Sequence, residues 1–387
     1  MTSLRSTTKY PKILVISAWY PNSLYPAEGD FIRYQSQLMK KEGLNVSVFH
    51  ANLSIRIILK GVFIKKQHHI QKGLLEHIIE QPFWPRNSTK GIQKWAAAYK
   101  KELEKHCNIY GWPDIIHAHT YLGGYVASLI KKNFNIPYLV TLHETNLLDG
   151  TLPEYHQPLL KQALENANQI VAVGQKLSGS LKKYSNKNIV ILPNFIDFEK
   201  FDQAPKCNDP FTFIFIGELI PRKRVNTLIQ AFSQLNITYE NTQLLIIGGG
   251  PLNKSLQKQA SNLSVKNKIK FTGRLAQDEV ALQLQKSHCL ILPSKTETFG
   301  IVLVEAMACG LPFISTFSGT FTAFFNHPSC HFIGHSENEL TAAMKKIYSD
   351  KTSYTSEEIR KYAYKNFSST AVVSQYKNRF LSILEKA

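Results

Sequence analysis

Short apolar, β-branched runs recur along the 387-residue chain, each followed by a polar or turn residue and then by a segment of helix length. In the first half they fall at 13–17, 46–50, 115–117, 138–142, 170–173 and 190–192. Runs of about four to seven such residues between polar flanks read as strands buried on both faces of a parallel sheet. The intervening stretches, among them 31–42 and 154–168, carry the apolar spacing of amphipathic helices. The rhythm then restarts, with runs at 211–216, 244–247, 269–271, 289–292 and 313–315 alternating with helical segments at 225–235, 253–262, 277–286 and 301–308. Strand and helix alternating twice over predict an α/β protein of two Rossmann-like, doubly wound domains. The polar stretch from Asp197 to Asp209 marks the boundary. The expected division is an N-terminal domain at 1–196, a second domain at 197–365 and a C-terminal helix at 366–387 that packs back on the first. Residues 337–387 hold no strand run and read as closing helices.

Composition narrows the class. Apolar residues at 43% and charged residues at 19% describe a chain that buries cores and is not disordered. No run approaches the ~18 apolar residues of a spanning helix. The first apolar run has no small-residue cleavage site behind it, so it reads as a strand rather than a signal peptide. Five scattered cysteines without a C-x-x-C pair fit reduced thiols in a cytoplasmic protein.

Charge adds a partner. The net charge is +18, and residues 1–196 carry 24 Lys and Arg against 12 Asp and Glu. The segment 55–105 alone has 11 basic and 4 acidic side chains, with apolar residues interleaved and Phe83-Trp84 near its middle. A basic, partly amphipathic stretch points to an anionic partner such as a membrane surface, or else to a solvated helix face. No basic recognition motif or stacking module supports a nucleic-acid partner. The expected place is the cytoplasm, peripheral on the inner face of the cell membrane.

In open parallel sheets, ligands bind beyond the carboxyl ends of the strands. After the second-half strands come Gly217, then Gly248-Gly249-Gly250-Pro251, then Gly273-Arg274, turns that let backbone N–H groups approach an anion. No P-loop is present, G-x-G-x-x-G follows neither first strand, and no D-x-D offers ligands to a divalent metal. The segment 293–312, PSKTETFGIVLVEAMACGLP, places Glu297 and Glu305 eight residues apart around Phe299, Gly300 and Ile301, which open a helix toward a diphosphate. At 100° per residue the two carboxylates fall within about 80° of each other, on one face, where they can accept from sugar and ribose hydroxyls. The alternative is a pair of exposed surface glutamates. An unpaired Glu305 inside the apolar helix IVLVEAMA would be costly, which favours function.

This segment, S-x-x-E-x-F-G-x-x-x-x-E-A-M-A-x-G-x-P, resembles the retaining family 4 glycosyltransferases of the GT-B fold, and the resemblance runs through nearly the whole chain. It implies two Rossmann-like domains facing a central cleft. Gly250-Pro251 lies in a turn similar to the family's G-x-G-P, and Arg274-Leu275 follows a strand end similar to F-x-G, where the base is held. Residues 217–224, GELIPRKR, resemble G-R-L-x-x-x-K-G, which implies that Lys223 and Arg222 neutralise the leaving diphosphate. Here Glu218 stands in the Arg position and Arg224 in the last Gly position. The junction LPNFID resembles P-N-G-V-D, with Phe195 for Gly. Residues 113–119, PDIIHAH, resemble D-V-V-H-x-H, which implies that His119 approaches the reacting sugar, while His117 reads as a core residue. Thr141-Leu142-His143-Glu144 resembles T-x-H-G with Glu144 for Gly, and Gly29-Asp30-Phe31 a reduced glycine loop; Gly29 and His143 are thereby assigned to the acceptor or phosphate side. The family's G-G-x-x-E is replaced at 318–323 by a stretch without the Glu.

The implied reaction is metal-independent, retaining transfer of a sugar from a nucleoside diphosphate donor, UDP-sugars being commonest, to a glycan or lipid-linked hydroxyl in cell-surface polysaccharide synthesis, lipopolysaccharide included. The catalytic set is His119, Glu297 and Lys223. Residues Arg222, Gly250, Pro251, Arg274, Leu275, Phe299, Gly300, Ile301 and Glu305 bind the donor. The alternative left by the departures is a sugar-nucleotide epimerase or a catalytically silent scaffold of the same fold.

Overall fold

The computed structural model describes residues 10–60, 64–84, 87–203, 210–316, 324–349 and 354–387. The chain forms two compact units: one runs to Leu192 and takes in Val372–Ala387, the other is Pro193–Ala371.

The first unit is built on an eight-stranded sheet: β1 (Lys12–Ser17), β2 (Asn45–Leu53), β3 (Lys65–Gln71), β4 (Leu74–Gln81), β5 (Ile115–His119), β6 (Tyr138–Leu142), β7 (Gln169–Ala172) and β8 (Ile189–Ile191). Its order is β3-β4-β2-β1-β5-β6-β7-β8, and every pairing is parallel except β3 with β4. The connecting helices are α1 (Asp30–Lys41), α2 (Thr89–Tyr110), α3 (Thr120–Phe134), α4 (Gln157–Asn166) and α5 (Gln175–Leu181). The central strands β1, β5, β6 and β7 are mostly apolar and buried, as parallel strands covered on both faces must be. Winding reverses between β1 and β5, where Ser17 pairs with His119, so the loops leaving these two strands diverge above one point.

The apolar pattern did not reveal β3 and β4. The segment 55–105, expected as a basic amphipathic stretch, is instead largely an antiparallel hairpin leading into α2. Its two-residue turn, Lys72-Gly73, has positive φ at both positions (47° and 76°), the geometry that matches strand twist. Strand β3 is an exposed edge rich in Lys and His, and β4 buries Glu76 and Glu80, so neither presents a clean apolar run.

The second unit has a six-stranded, all-parallel sheet of β9 (Phe211–Ile216), β10 (Thr242–Ile247), β11 (Ile269–Gly273), β12 (Cys289–Leu292), β13 (Phe313–Thr316) and β14 (Cys330–Ile333), in the order β11-β10-β9-β12-β13-β14. Here the reversal falls between β9 and β12. Helices α6 (Val225–Thr238), α7 (Asn253–Ser261), α8 (Gln277–Lys286), α9 (Ile301–Ala308), α10 (Glu337–Ser349) and α11 (Ser356–Phe367) connect and follow the strands. The edge strand β14, CHFI, is half-buried and was also not anticipated. From Val372 on, α12 (Ser369–Leu384) belongs to the first unit. There its Tyr376 ring lies 5.3 Å from that of His117, and its Lys377 ammonium sits 4.3 Å from the Tyr10 ring centre.

The glycines after β10 serve close packing of backbone on backbone. Gly248 has φ +144°, and a Cβ there would lie 1.8 Å from the Gly217 carbonyl oxygen; one on Gly250 would lie 2.6 Å from that of Leu219. The Leu219 N–H donates to the Gly249 carbonyl at 2.9 Å, fastening the two turns together. A Gly248→Ala variant is expected to lose at least about 2 kcal/mol of stability, because neither backbone can yield without strain. Gly150→Ala, equally left-handed at φ +66° but with open space around it, should lose only about 1 kcal/mol. Urea denaturation of the two variants checks the difference.

Candidate functional site

In the first unit the chemistry gathers beyond the carboxyl ends of β5 and β6. Parallel register sets His119 beside Thr141, which brings His143, two residues on, up to the histidine at the end of β5. His119 Nδ1 and His143 Nε2 are 3.0 Å apart, and the ring planes lie within 9° of each other. Phe31, in the first turn of α1, meets the His143 ring edge-on at 4.9 Å. Gly29 makes that entry possible: it caps α1 at φ +66°, where a Cβ would strike the Trp19 carbonyl at 2.6 Å. Burial lowers the pKa of His143 to about 3, and burial with the neighbouring His117 and His143 holds His119 well below its ordinary value. Both rings are therefore neutral at pH 7, one donating to the other. His117 is buried against Thr141, at 2.9 Å from its hydroxyl, as a core residue.

Glu144 follows directly. It is 1% exposed, and its carboxylate accepts from the Tyr121 N–H at 2.6 Å and the His143 N–H at 2.8 Å. Burial raises its pKa to about 7, against the pull of these backbone donors.

In the second unit the loops leaving β9 and β12, the neighbours at the reversal, are fastened together. The Lys295 N–H donates to the Arg222 carbonyl at 2.7 Å, and Arg222 Nη1 donates to the Thr296 carbonyl at 2.7 Å. This closure sets Lys223 Nζ on Glu297 Oε1, with Arg222 Nη1 3.4 Å from the same oxygen. Burial works to raise the Glu297 pKa, but the charges of Lys223 and Arg222 outweigh it and the net shift is downward. Glu305, in α9, is buried as well; burial raises its pKa to about 7, partly offset by a hydrogen bond with Gln277 and the charge of Lys200.

Residues 29–200 match the family described as Glycosyltransferase Family 4, and residues 195–366 that described as Glycosyl transferases group 1. An uncharacterised glycosyltransferase of Methanocaldococcus jannaschii is 30% identical over 309 residues, covering 79% of this chain and 80% of its own. The chain belongs to the family 4 glycosyltransferases. TuaC of Bacillus subtilis, named as a teichuronic acid biosynthesis glycosyltransferase, is 27% identical over 344 residues, with 81% of this chain and 83% of its own covered. The Anabaena protein HepE, solved in complex with UDP and glucose, shares the GT-B fold at a TM-score of 0.73 and 17% identity, covering 96% of this chain and 100% of its own.

Within this glycosyltransferase the expected residues fall into separate groups. His119 and His143 come together, with Gly29 delivering Phe31 to them. Lys223, Arg222 and Glu297 form a second group. Glu297 and Glu305 do not share a helix face: α9 begins only at Ile301, Glu297 lies in the loop before it, and the eight-residue helical spacing does not apply. Glu305 belongs with Gln277 and Lys200, two partners that no motif had marked. Phe299 turns its ring into a core of Phe324, Phe325 and Phe367, leaving only its backbone for a ligand. Gly300, at φ +73°, caps α9; the Leu303 N–H donates to the Gly300 carbonyl at 2.9 Å, and helix geometry leaves the Ile301 and Val302 amides without intrahelical partners. Arg274 is exposed and lies across Gly249, where a Cβ would meet it at 3.2 Å; Leu275 is half-buried beside it, and Gly250 and Pro251 form the turn after β10. Arg224 takes the left-handed conformation (φ 53°) that its motif position requires, and its guanidinium reaches the His335 carbonyl at 2.5 Å. The stretch 318–323 lies outside the described residues. Among the described residues no group of three or more His, Cys, Asp or Glu is arranged to hold a metal ion.

Buried neutral histidines set the acid stability of the first unit. His77 and His117 are lowered to about 3 and His106 to about 4, chiefly by burial, joining His119 and His143. Each has a folded pKa below its unfolded value, so its contribution is present above about pH 6.5 and lost as pH falls. Glu144 and Glu305 act oppositely, losing stability as pH rises toward 7. The histidines outnumber them, so the melting temperature is expected to fall from pH 6.5 downward and more steeply below about pH 4.5. A pH series of thermal melts checks this, and a His77→Phe, His106→Phe variant should show the shallower curve.

Proposed function

We propose that this glycosyltransferase moves a sugar, with retention of anomeric configuration and without a metal, from a UDP-sugar to a hydroxyl of a glycan or lipid-linked acceptor in cell-surface polysaccharide synthesis. The observation that carries the donor half is the convergence of Lys223 and Arg222 on a buried Glu297 just ahead of the α9 N-terminus. As the bond to C1 of the sugar breaks, negative charge grows on the diphosphate. Two cations and the helix amides supply a preorganised environment for it, with no reorganisation at the moment of reaction. Lys223 then exchanges Glu297 for phosphate oxygens, and Glu297 is left to accept from sugar hydroxyls while Glu305 accepts from the ribose. The resemblance to the retaining family 4 enzymes implies attack from the leaving-group side, with the departing phosphate taking the acceptor proton. His119, neutral at pH 7, serves the hydroxyl end in the first unit. The UDP choice is supported by the HepE complex, and the polysaccharide context by the name of TuaC.

The acceptor half includes docking to an anionic membrane on its inner face. Lys65, Lys66 and Lys72 are exposed along β3 and its turn, and Ile64, Ile70 and Trp84 are exposed at 65%, 73% and 74%. Cations beside unshielded apolar side chains suit an anionic lipid surface. The side chain of Lys60, expected in the same role, lies outside the described residues.

Thermal-shift screening of nucleoside diphosphate sugars, followed by transfer and hydrolysis assays with the stabilising donor, tests the donor assignment. Glu297→Ala should lower transfer by about 10³-fold or more with the fold retained, and undiminished turnover would refute the role. Replacing Lys65, Lys66 and Lys72 with Gln should weaken sedimentation with anionic vesicles at low salt about 100-fold, at about 1 kcal/mol per lysine. Unchanged binding would return these lysines to ordinary edge-strand protection.

A further inference from the structure

Glu144 takes no direct part in the sugar transfer proposed for this glycosyltransferase. Its two carboxylate oxygens accept from the Tyr121 and His143 N–H groups, one on each of the two turns that carry the imidazole pair. Between His119 and Tyr121 stands Thr120, buried, with φ +67°. A β-branched residue in the left-handed region is an outlier that surrounding structure must impose. The local restraint on Thr120 is weak, a 3.4 Å bond from the Gly123 N–H to its hydroxyl. A stronger restraint on this turn comes from Glu144, which accepts from the Tyr121 N–H at 2.6 Å. One carboxylate thus ties the β5–α3 turn to the exit of β6, at the level where His119 Nδ1 and His143 Nε2 stand 3.0 Å apart.

We infer that Glu144 is a positioning residue that clamps the strained turn at Thr120 and so holds His119 and His143 in register for the acceptor hydroxyl. The acceptor part rests on the role proposed for His119; the clamp itself does not. If the clamp works by imposing φ at position 120, a glycine there, which adopts that φ freely, makes the carboxylate dispensable.

The test compares wild type, Glu144→Ala, Thr120→Gly and Glu144→Ala/Thr120→Gly by imidazole ¹⁵N NMR and by transfer kinetics. Glu144→Ala should lose the ring signals of the His119–His143 hydrogen bond and lower kcat by about 10- to 100-fold, with the donor KM unchanged. Adding Thr120→Gly should restore both. A double variant no better than Glu144→Ala, or wild-type ring signals in Glu144→Ala, overturns the clamp. Should Glu144→Ala fail to fold, Glu144→Gln, which keeps one accepting oxygen, takes its place in both backgrounds. A wild type that transfers sugar from no donor would defeat the proposed function, and the ring signals would still decide the clamp.

Discussion

A carboxylate buried as deeply as Glu297 stays ionised only because Lys223 and Arg222 meet it, and they meet it only because the loops after β9 and β12 are bonded to each other through Arg222, Lys295 and Thr296. Buried ion pairs are weak evidence for stability, since the loss of hydration rivals the attraction. Removing one partner, however, leaves an uncompensated charge at a cost of about 3–5 kcal/mol. Two cations therefore stand preassembled at the reversal of the second sheet, paired with an internal anion that the donor diphosphate replaces in the function proposed above. The fold supplies the place, because only at the reversal do loops from adjacent strands diverge and leave room above the sheet.

The first unit solves a similar problem without a cation. Above its own reversal the imidazoles are buried and neutral, and the one carboxylate among them, Glu144, is satisfied by backbone amides. Cations thus gather at the site assigned to the diphosphate and are absent from the imidazole pair assigned to a neutral hydroxyl.

Much of this was legible in the chain. Where a strand is buried on both faces, its residues are uniformly apolar and its limits are readable: 138–142, 211–216 and 289–292 match β6, β9 and β12, and helices 277–286 and 301–308 match α8 and α9. The pairing of Lys223 with Glu297 was not legible, since 74 residues separate them and only the parallel adjacency of β9 and β12 brings their loops together. Glu144 read as a departure from a glycine because its partner amides carry no sequence signal. The spacing of Glu297 and Glu305 misled for a related reason. A period of 3.6 has meaning only inside a helix, and Gly300 stops the helix short of Glu297.

The hairpin β3–β4 shows why polar content can hide a strand that the site depends on. Glu76 and Glu80, both fully buried, lie on the same side of β4, four residues apart on a pleated strand whose faces alternate. Glu76 accepts from the Tyr20 hydroxyl and from Arg33 Nε at 2.8 Å; Glu80 accepts from the Ser23 N–H at 2.9 Å and its hydroxyl at 2.8 Å. Asn22 adds an Asx turn, accepting from the Leu24 and Tyr25 N–H groups and from Asn52 Nδ2, all at 3.0 Å. These bonds pin the loop that leaves β1, and the same loop presents the Trp19 carbonyl against which Gly29 turns the chain into α1 and toward His143. The carboxylates that spoil the apolar run of β4 are the ones that hold this loop, so the feature that conceals the strand from the pattern also gives the strand its part in the site.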